Sequence, residues 1–303
     1  MKKITKLLQN RDFILFLALM TGLLLPQAST WTQHLTLPAL ALVMTISTMG
    51  ISGGLFRSPR SLIVPALCGL LMSYGVLSGF IIGLSSLFIH DRELWNGFVI
   101  LALMPPAVAI IPFTDLFKGN SSFSLAGIMG GYLGALIILP LILYRYLGSS
   151  QFALERLSVA AIVLIIIPLV ISRILLWKKI DKNLEPVKGV IINWSFFVVV
   201  YTIVALNQNI ITQQPLRLLP VAAIAVGSMF VLGPIIEWIG KLFRIDPQTT
   251  VSLVLLGTIK NYGLAAGIAL TIFNKESALP ATVSTIFMFV YVIWMGFRQR
   301  WSR

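Results

Sequence analysis

The 303-residue chain consists largely of ten apolar runs joined by short polar connections. A helix needs about 20 mostly apolar residues to cross the hydrocarbon core of a bilayer, and most of these runs approach or exceed that length. Charged residues make up 11% of the chain, against about 25% in ordinary soluble domains. We therefore predict an all-α integral membrane protein with ten transmembrane helices. The predicted spans are residues 12–27, 35–55, 61–88, 93–117, 121–146, 153–177, 189–208, 215–240, 248–273 and 278–297.

The positions of lysine and arginine predict how these spans are oriented. Alternate connections hold 17 and 5 of the 23 lysines and arginines, and the remaining one, Lys260, lies inside the ninth run. Because cytoplasmic loops carry the excess of these residues, we place both termini in the cytoplasm and the chain in the plasma (inner) membrane. Further spans follow the first run, so we interpret it as an uncleaved helix rather than a signal peptide.

The longest connection, residues 177–189, separates two sets of five runs. An odd number of spans in each half inverts the second half relative to the first, as in many secondary transporters. We predict two inverted five-helix repeats on this basis. Residues 1–178 would contain the first repeat and helix 6, and residues 179–303 would contain the remaining helices of the second repeat.

A weak internal similarity supports the inverted repeats. Superposing Phe117 on Phe273, at the ends of the fourth and ninth runs, requires an offset of 156 residues. The same offset brings residues 104–106 (Met-Pro-Pro) opposite residues 260–262 (Lys-Asn-Tyr). The two most irregular sites within the apolar runs therefore fall at equivalent positions.

The fourth run contains three prolines within eight residues: Pro105, Pro106 and Pro112. Each proline removes an amide donor and clashes with the preceding helical turn, so an unbroken helix is excluded. In lipid, the carbonyl groups that are freed must be bound by protein or face a water-filled cavity. We predict a break at Pro105 and Pro106 that lies close to the substrate, and the alternative is a simple kink.

The ninth run contains a lysine far from either end. Lys260 lies about 20 Å deep at the helical rise of about 1.5 Å per residue, and a charge there costs at least about 2.5–3.5 kcal/mol unless it has a partner. Gly257, Gly263 and Gly267 allow an unwound section in the same run. We predict that two broken helices, the fourth and the ninth, cross at an anion site to which Lys260 contributes its charge. The alternative is that Lys260 only tethers the crossing to backbone carbonyl groups.

Four further polar residues are candidates for the site, each with a structural alternative. Thr258 and Asn261 lie one turn apart and serve either as ligands or as hydrogen bonds between helices. Ser124 offers a hydroxyl ligand or caps the fifth helix. Asp115 is a candidate proton carrier, although its position at the cytoplasmic end of its run also suits a solvated carboxylate.

Two segments resemble the bile acid:sodium symporter (BASS, SBF-like) family. The first is residues 104–140, with its proline pair, the Lys-Gly-Asn of 118–120 and Ser124, and the second is the Asn-Tyr-Gly-Leu-Ala-Ala of 261–266. The resemblance implies a panel domain (helices 1, 2, 6 and 7) and a core domain (helices 3–5 and 8–10), with helices 4 and 9 crossing in the core. It also implies transport of organic anions such as bile acids or keto acids, usually with sodium.

The sequence departs from that family at the sodium site. Ile110 and Ile111 stand where sodium-coupled relatives have a Ser-Asn pair, and Leu256 and Lys260 replace a glutamate and a glutamine. We therefore predict sodium-independent transport of a small organic anion, with Lys260 replacing the sodium ion. The ammonium would hold the crossing together, and would either pair with the substrate or lose a proton during the cycle. The alternatives are a sodium-coupled symporter with a rearranged site and a non-transporting membrane sensor or scaffold.

Other function classes find little support in the sequence. No paired carboxylates, catalytic triad, phosphate-binding glycine loop or metal-ligand cluster is present, so we expect neither an enzyme nor a bound cofactor. The basic connections lack the aromatic residues of a nucleic-acid surface, despite the net charge of +13. We expect a small organic anion and membrane lipids as partners, and a homodimer is left open. Related crossover folds, such as auxin-efflux-type carriers and arsenite exporters, are also left open as alternatives.

Overall fold

The computed structural model describes residues 10–49, 59–107, 109–146, 167–213 and 215–301. Within these residues the regular elements are helices, and extended pairing is limited to an isolated antiparallel bridge between Pro106 and Lys260. The parts of the predicted spans at 50–55 and 153–166 lie outside the described residues.

The main helices are numbered α1 to α12 in chain order, and the middle segments of α3 and α9 are π-helical. They are α1 (Arg11–Leu24), α2 (Thr36–Met49), α3 (Pro59–Leu70, Leu71–Leu77 and Ser78–Phe88), α4 (Arg92–Leu103), α5 (Ile110–Leu116), α6 (Ser121–Tyr146), α7 (Ile167–Trp177), α8 (Asp181–Leu206), α9 (Leu219–Val226, Gly227–Val231 and Leu232–Leu242), α10 (Pro247–Leu256), α11 (Tyr262–Ile272) and α12 (Leu279–Trp301). Short helical turns lie at Pro26–Ala28, Ser29–Thr32, Gln33–Leu35, Gln208–Gln213, Pro215–Leu218 and Glu276–Ala278.

Four helical segments are long and apolar enough to cross a membrane among the described residues. They are Leu62–Phe88, Asn183–Leu206, Leu219–Leu242 and Glu276–Arg298. A fifth candidate, Phe13–Leu24 followed by Pro26–Ile46, is bent by 92° at a break where Pro26 begins a new turn. These helices confirm an all-α membrane protein, while the number of ten spans stays a prediction.

The helices pack in two groups around the interrupted segments. Helix α8 packs against α1 and α2, and α7 also packs against α2. In the other group the first segment of α3 packs against α6, α11 packs against α4, and α12 packs against α9 and α11. The contact between α1 and α8 has its own apolar cluster, which includes Leu15, Ala18, Val200 and Val204.

Candidate functional site

The fourth and ninth apolar runs are each interrupted, as predicted. Helix α4 ends at Leu103 and α5 begins at Ile110, while α10 ends at Leu256 and α11 begins at Tyr262. The residue after α4, Met104, is extended (φ −70°, ψ 147°), the conformation that a following proline imposes.

The two interruptions lie against each other. The backbone N–H of Asn261 donates to the carbonyl oxygen of Pro105 at 3.0 Å, and Pro106 pairs with Lys260 in the isolated bridge. This pairing satisfies backbone groups that the helix breaks leave free, which is required where water is scarce. We call residues 104–107 and 257–261 the crossover.

The side chain of Lys260 is fully buried at the crossover, with 0% of its surface exposed. Its ammonium donates to the carbonyl oxygens of Ala102 at 2.9 Å and Met104 at 2.7 Å. It also lies 4.2 Å from the centroid of the Tyr74 ring. The carbonyl groups belong to the C-terminal end of α4, which carries the negative end of the helix dipole and is stabilised by a cation.

Asn261 caps the second half of the ninth run. Its Oδ1 accepts from the backbone N–H of Leu264 at 3.1 Å, and its Nδ2 donates to the Tyr132 hydroxyl at 3.3 Å and lies 3.5 Å from the Met44 sulfur. The amide therefore fixes the start of α11 and also ties it to α6 and α2. The N-terminal end of α11, which favours anions, is thereby held at the crossover.

Replacing Asn261 by alanine is expected to destabilise the protein more than replacing it by serine. Serine retains an oxygen that can cap α11, whereas alanine leaves the Leu264 N–H without its acceptor, a loss of about 0.5–2 kcal/mol. The measurement is the melting temperature of each purified variant in detergent. Equal melting temperatures would contradict the capping role, because both variants lose the contacts of Nδ2.

Three further residues were predicted for the site, and the structure does not bring all of them into contact with Lys260 or Asn261. Thr258 is fully buried, and its hydroxyl donates to the carbonyl oxygen of Val254 at 2.7 Å, within its own helical turn. The Ser124 hydroxyl shares a hydrogen bond of 2.7 Å with Thr114 between α5 and α6. Asp115 lies in α5, but its side chain is outside the described part of the structure.

The cap of α6 falls on Asn120 rather than on Ser124. The Asn120 Oδ1 accepts from the backbone N–H of Phe123 at 3.0 Å, and Ser124 lies inside the first turn. The capping alternative for Ser124 is therefore wrong. Its buried hydroxyl instead joins α6 to α5 through Thr114.

Sequence reasoning missed several residues that contact Lys260 or Asn261. Tyr74, Ala102, Met44 and Tyr132 lie in ordinary apolar runs, with no proline, charge or spacing to distinguish them. The π-helical turn that carries Tyr74 likewise has no signature that the apolar pattern reveals.

Two cavities adjoin the crossover. One, of about 50 Å³, lies between the crossover and the α1–α8 pair, with Leu15, Phe196, Ala107, Asn261 and Gly263 among its lining residues. The other, of about 210 Å³, lies between α3 and α4. It is lined by Tyr74, Ser78, Gly79, Ile82, Val99, Ala102 and Leu103.

These cavities are not lined by a group of metal-ligating side chains in the described residues. In the described ranges, no three or more His, Cys, Asp or Glu residues are close enough to hold a metal ion together. Lys260 binds two backbone carbonyl oxygens at the crossover, those of Ala102 and Met104.

Comparison with known proteins gives both a family match and individual relatives. Residues 13–295 match the model of the SBF-like CPA transporter family. The chain is 22% identical over 216 residues to "Uncharacterized protein YbaS" of Bacillus subtilis (strain 168), covering 70% of each chain. It is 23% identical over 275 residues to "Uncharacterized sodium-dependent transporter YocS" of the same organism, covering 88% of this chain and 83% of that protein.

Proposed function

The chain belongs to the SBF-like CPA transporter family, and from this we propose that it is a secondary transporter of a small organic anion. Membership of the family and the long apolar helices make it a membrane transporter. The identity of the cargo and the coupling mechanism are the parts that we propose.

An inverted repeat is supported by two structural correspondences at one offset. The π-helical segments Leu71–Leu77 and Gly227–Val231 begin 156 residues apart. Met104 and Lys260, which are joined by a hydrogen bond, are also separated by 156 residues. We propose that α3–α6 and α9–α12 are equivalent parts of two five-helix repeats, with the crossover at their centre.

The packing supports the proposed panel and core domains. Helix α8 packs against α1 and α2, and α7 packs against α2, as expected for a panel of helices 1, 2, 6 and 7. The cavity of about 50 Å³ lies where this panel meets the crossover. We propose that the anion binds there, beside the N-terminal end of α11, and is exchanged by movement of the core against the panel.

The observation that carries sodium independence is the position of the Lys260 ammonium. It binds the carbonyl oxygens of Ala102 and Met104, which are the groups that a cation at the crossover would use. Hard cations require several oxygen ligands, and Ile110, Ile111 and Leu256 supply no side-chain oxygen. The ammonium thus takes the place of the ion and stabilises the crossover, and proton coupling is the accompanying proposal.

A sodium-coupled mechanism is the second candidate. It is favoured by the name of YocS, which describes that relative as sodium-dependent. In that case sodium would bind at a rearranged site that leaves the Lys260 contacts in place. A membrane sensor or scaffold, in which Lys260 is only a structural tether, is the remaining alternative.

Uptake by reconstituted protein tests the proposal. Proteoliposomes are loaded with bile acids, keto acids or other small carboxylates, and exchange of the labelled anion is followed in sodium or potassium buffer, with and without a pH gradient. We expect saturable uptake of at least one anion at the same rate in both buffers, because Lys260 occupies the place that a sodium ion would take. Sodium-stimulated uptake would favour the rearranged site, and folded protein without any uptake would favour the scaffold.

A further inference from the structure

The Lys260 ammonium is held on three sides, and one of them is aromatic. Two sides are the carbonyl oxygens of Ala102 and Met104, at 2.9 and 2.7 Å. On the third side, the Tyr74 ring centroid lies 4.2 Å from the Lys260 Nζ. A cation within about 6 Å of a ring face is attracted by the electrons of the ring, most strongly where both groups are removed from water.

The Tyr74 ring, rather than its hydroxyl, makes this contact. Among the described residues, the buried Tyr74 hydroxyl has no hydrogen-bond partner. A buried hydroxyl without a partner destabilises the folded protein, so the hydroxyl gives no reason for a tyrosine at this position. The face of the ring is what Tyr74 offers to Lys260.

The π-helical segment Leu71–Leu77 connects Tyr74 to the crossover. A π-helical turn contains an extra residue, which rotates the side chains that follow, and such turns are frequent at functional sites. Just after this segment, the Ser78 hydroxyl donates to the Ala102 carbonyl oxygen at 2.6 Å and lies 2.9 Å from the Ser73 carbonyl oxygen. The same Ala102 oxygen therefore binds both α3 and Lys260.

We propose that Tyr74 is a positioning residue that holds the Lys260 ammonium against the C-terminal end of α4. The π-helical segment presents the ring, Ser78 fixes α3 to Ala102, and the ring adds a third contact to the two carbonyl groups that bind the ammonium. The effect of Tyr74 on transport rests on the proposed function. The contact itself is independent of which anion or ion is carried.

A double-mutant cycle on thermal stability tests the contact without any transport assay. Tyr74→Leu and Tyr74→Phe are made in the wild-type protein and in Lys260→Met, and melting temperatures are measured in detergent. We expect Tyr74→Leu to lower the melting temperature by about 2–4 °C more in the wild-type background than in Lys260→Met, because only the former contains the cation. Tyr74→Phe keeps the ring and is expected to melt at or above the wild-type temperature.

Phe80→Leu is the matched control, because it removes a ring from the same helix α3, where Phe80 lies against Gly227. Its effect should be the same in both backgrounds. Tyr74→Met replaces Tyr74→Leu if the leucine variant does not fold. An equal effect of Tyr74→Leu in the two backgrounds would overturn the proposal, since the ring would then contribute packing alone.

Uptake provides a second readout once a transported anion is known. Tyr74→Phe should retain the wild-type rate within about twofold, and Tyr74→Leu should lose about tenfold. The melting temperatures could show coupling between Tyr74 and Lys260 while the wild-type protein takes up no anion. That result would reject the proposed function and keep the positioning role of Tyr74. Uptake that survives in Tyr74→Leu would overturn the role in transport.

Discussion

Lys260→Ala is expected to lower the uptake rate by at least about 100-fold, which corresponds to about 2.7 kcal/mol. The substitution removes the ammonium that binds both carbonyl groups, and it leaves the Met104 carbonyl oxygen without its side-chain donor, while the Ala102 oxygen keeps the Ser78 hydroxyl. A buried acceptor without a partner costs about 1–3 kcal/mol. The free energy of unfolding should therefore fall as well, and the melting temperature in detergent with it.

Lys260→Gln separates the charge from the hydrogen bonds. The glutamine amide can donate to at least one of the two carbonyl groups, so we expect it to recover part of the stability that alanine loses. Uptake should stay low in Lys260→Gln because the charge is missing. Lys178→Ala is the control, since Lys178 is exposed and lies away from the crossover at the end of α7.

If Lys260→Ala took up the anion at the wild-type rate, Lys260 would serve only as a structural tether. Uptake that becomes sodium-dependent in Lys260→Ala would have another meaning. It would indicate that the space left by the ammonium can take the metal ion, and so support replacement of the cation by Lys260.

Gly69→Ala is expected to destabilise the protein by about 1–3 kcal/mol or more, which is the range for overpacked interiors. Helices α3 and α6 approach so closely at Gly69 that an added methyl group would overlap the backbone of Gly127. A methyl group on Gly130, one turn further along α6, would overlap the carbonyl oxygen of Ala66. Small residues at both positions let the two backbones touch, as is common between membrane helices.

Gly83→Ala provides the matched control on the same helix. A methyl group at Gly83 meets no atom within 4 Å, so alanine should stabilise the helix by about 0.5–1 kcal/mol through its better helix propensity. Melting temperatures in detergent compare the two variants. If Gly69→Ala melts at or above the temperature of Gly83→Ala, the close approach of α3 to α6 is not a requirement of the fold.

The parts of the site that could be predicted were those that depend on a residue and its immediate neighbours in the chain. Pro105 and Pro106 cannot continue a helix in any fold, so the break after Leu103 followed from sequence. Lys260 stood out because a charge in a long apolar run requires a partner. Both arguments use only local chemistry and the properties of a bilayer.

The partners of these residues could not be predicted in the same way. Ser124 was a candidate ligand or cap, yet it pairs with Thr114, because the return of α6 against α5 brings the two hydroxyls within 2.7 Å. Asn261 was one of several polar residues in its run, and its role as a cap appears only once the start of α11 is known. Such contacts depend on how helices pack, which apolar side chains specify collectively rather than singly.

The sequence by itself therefore determined a helical membrane protein, two interrupted runs and a lysine in need of a partner. Only the tertiary structure decided that the partners are the carbonyl oxygens of Ala102 and Met104, 158 and 156 residues away along the chain, and the ring of Tyr74. The physical reason is that hydropathy and proline residues determine the structure of one helix at a time. The binding of a buried charge instead depends on backbone groups that every residue possesses and that only packing brings to one point.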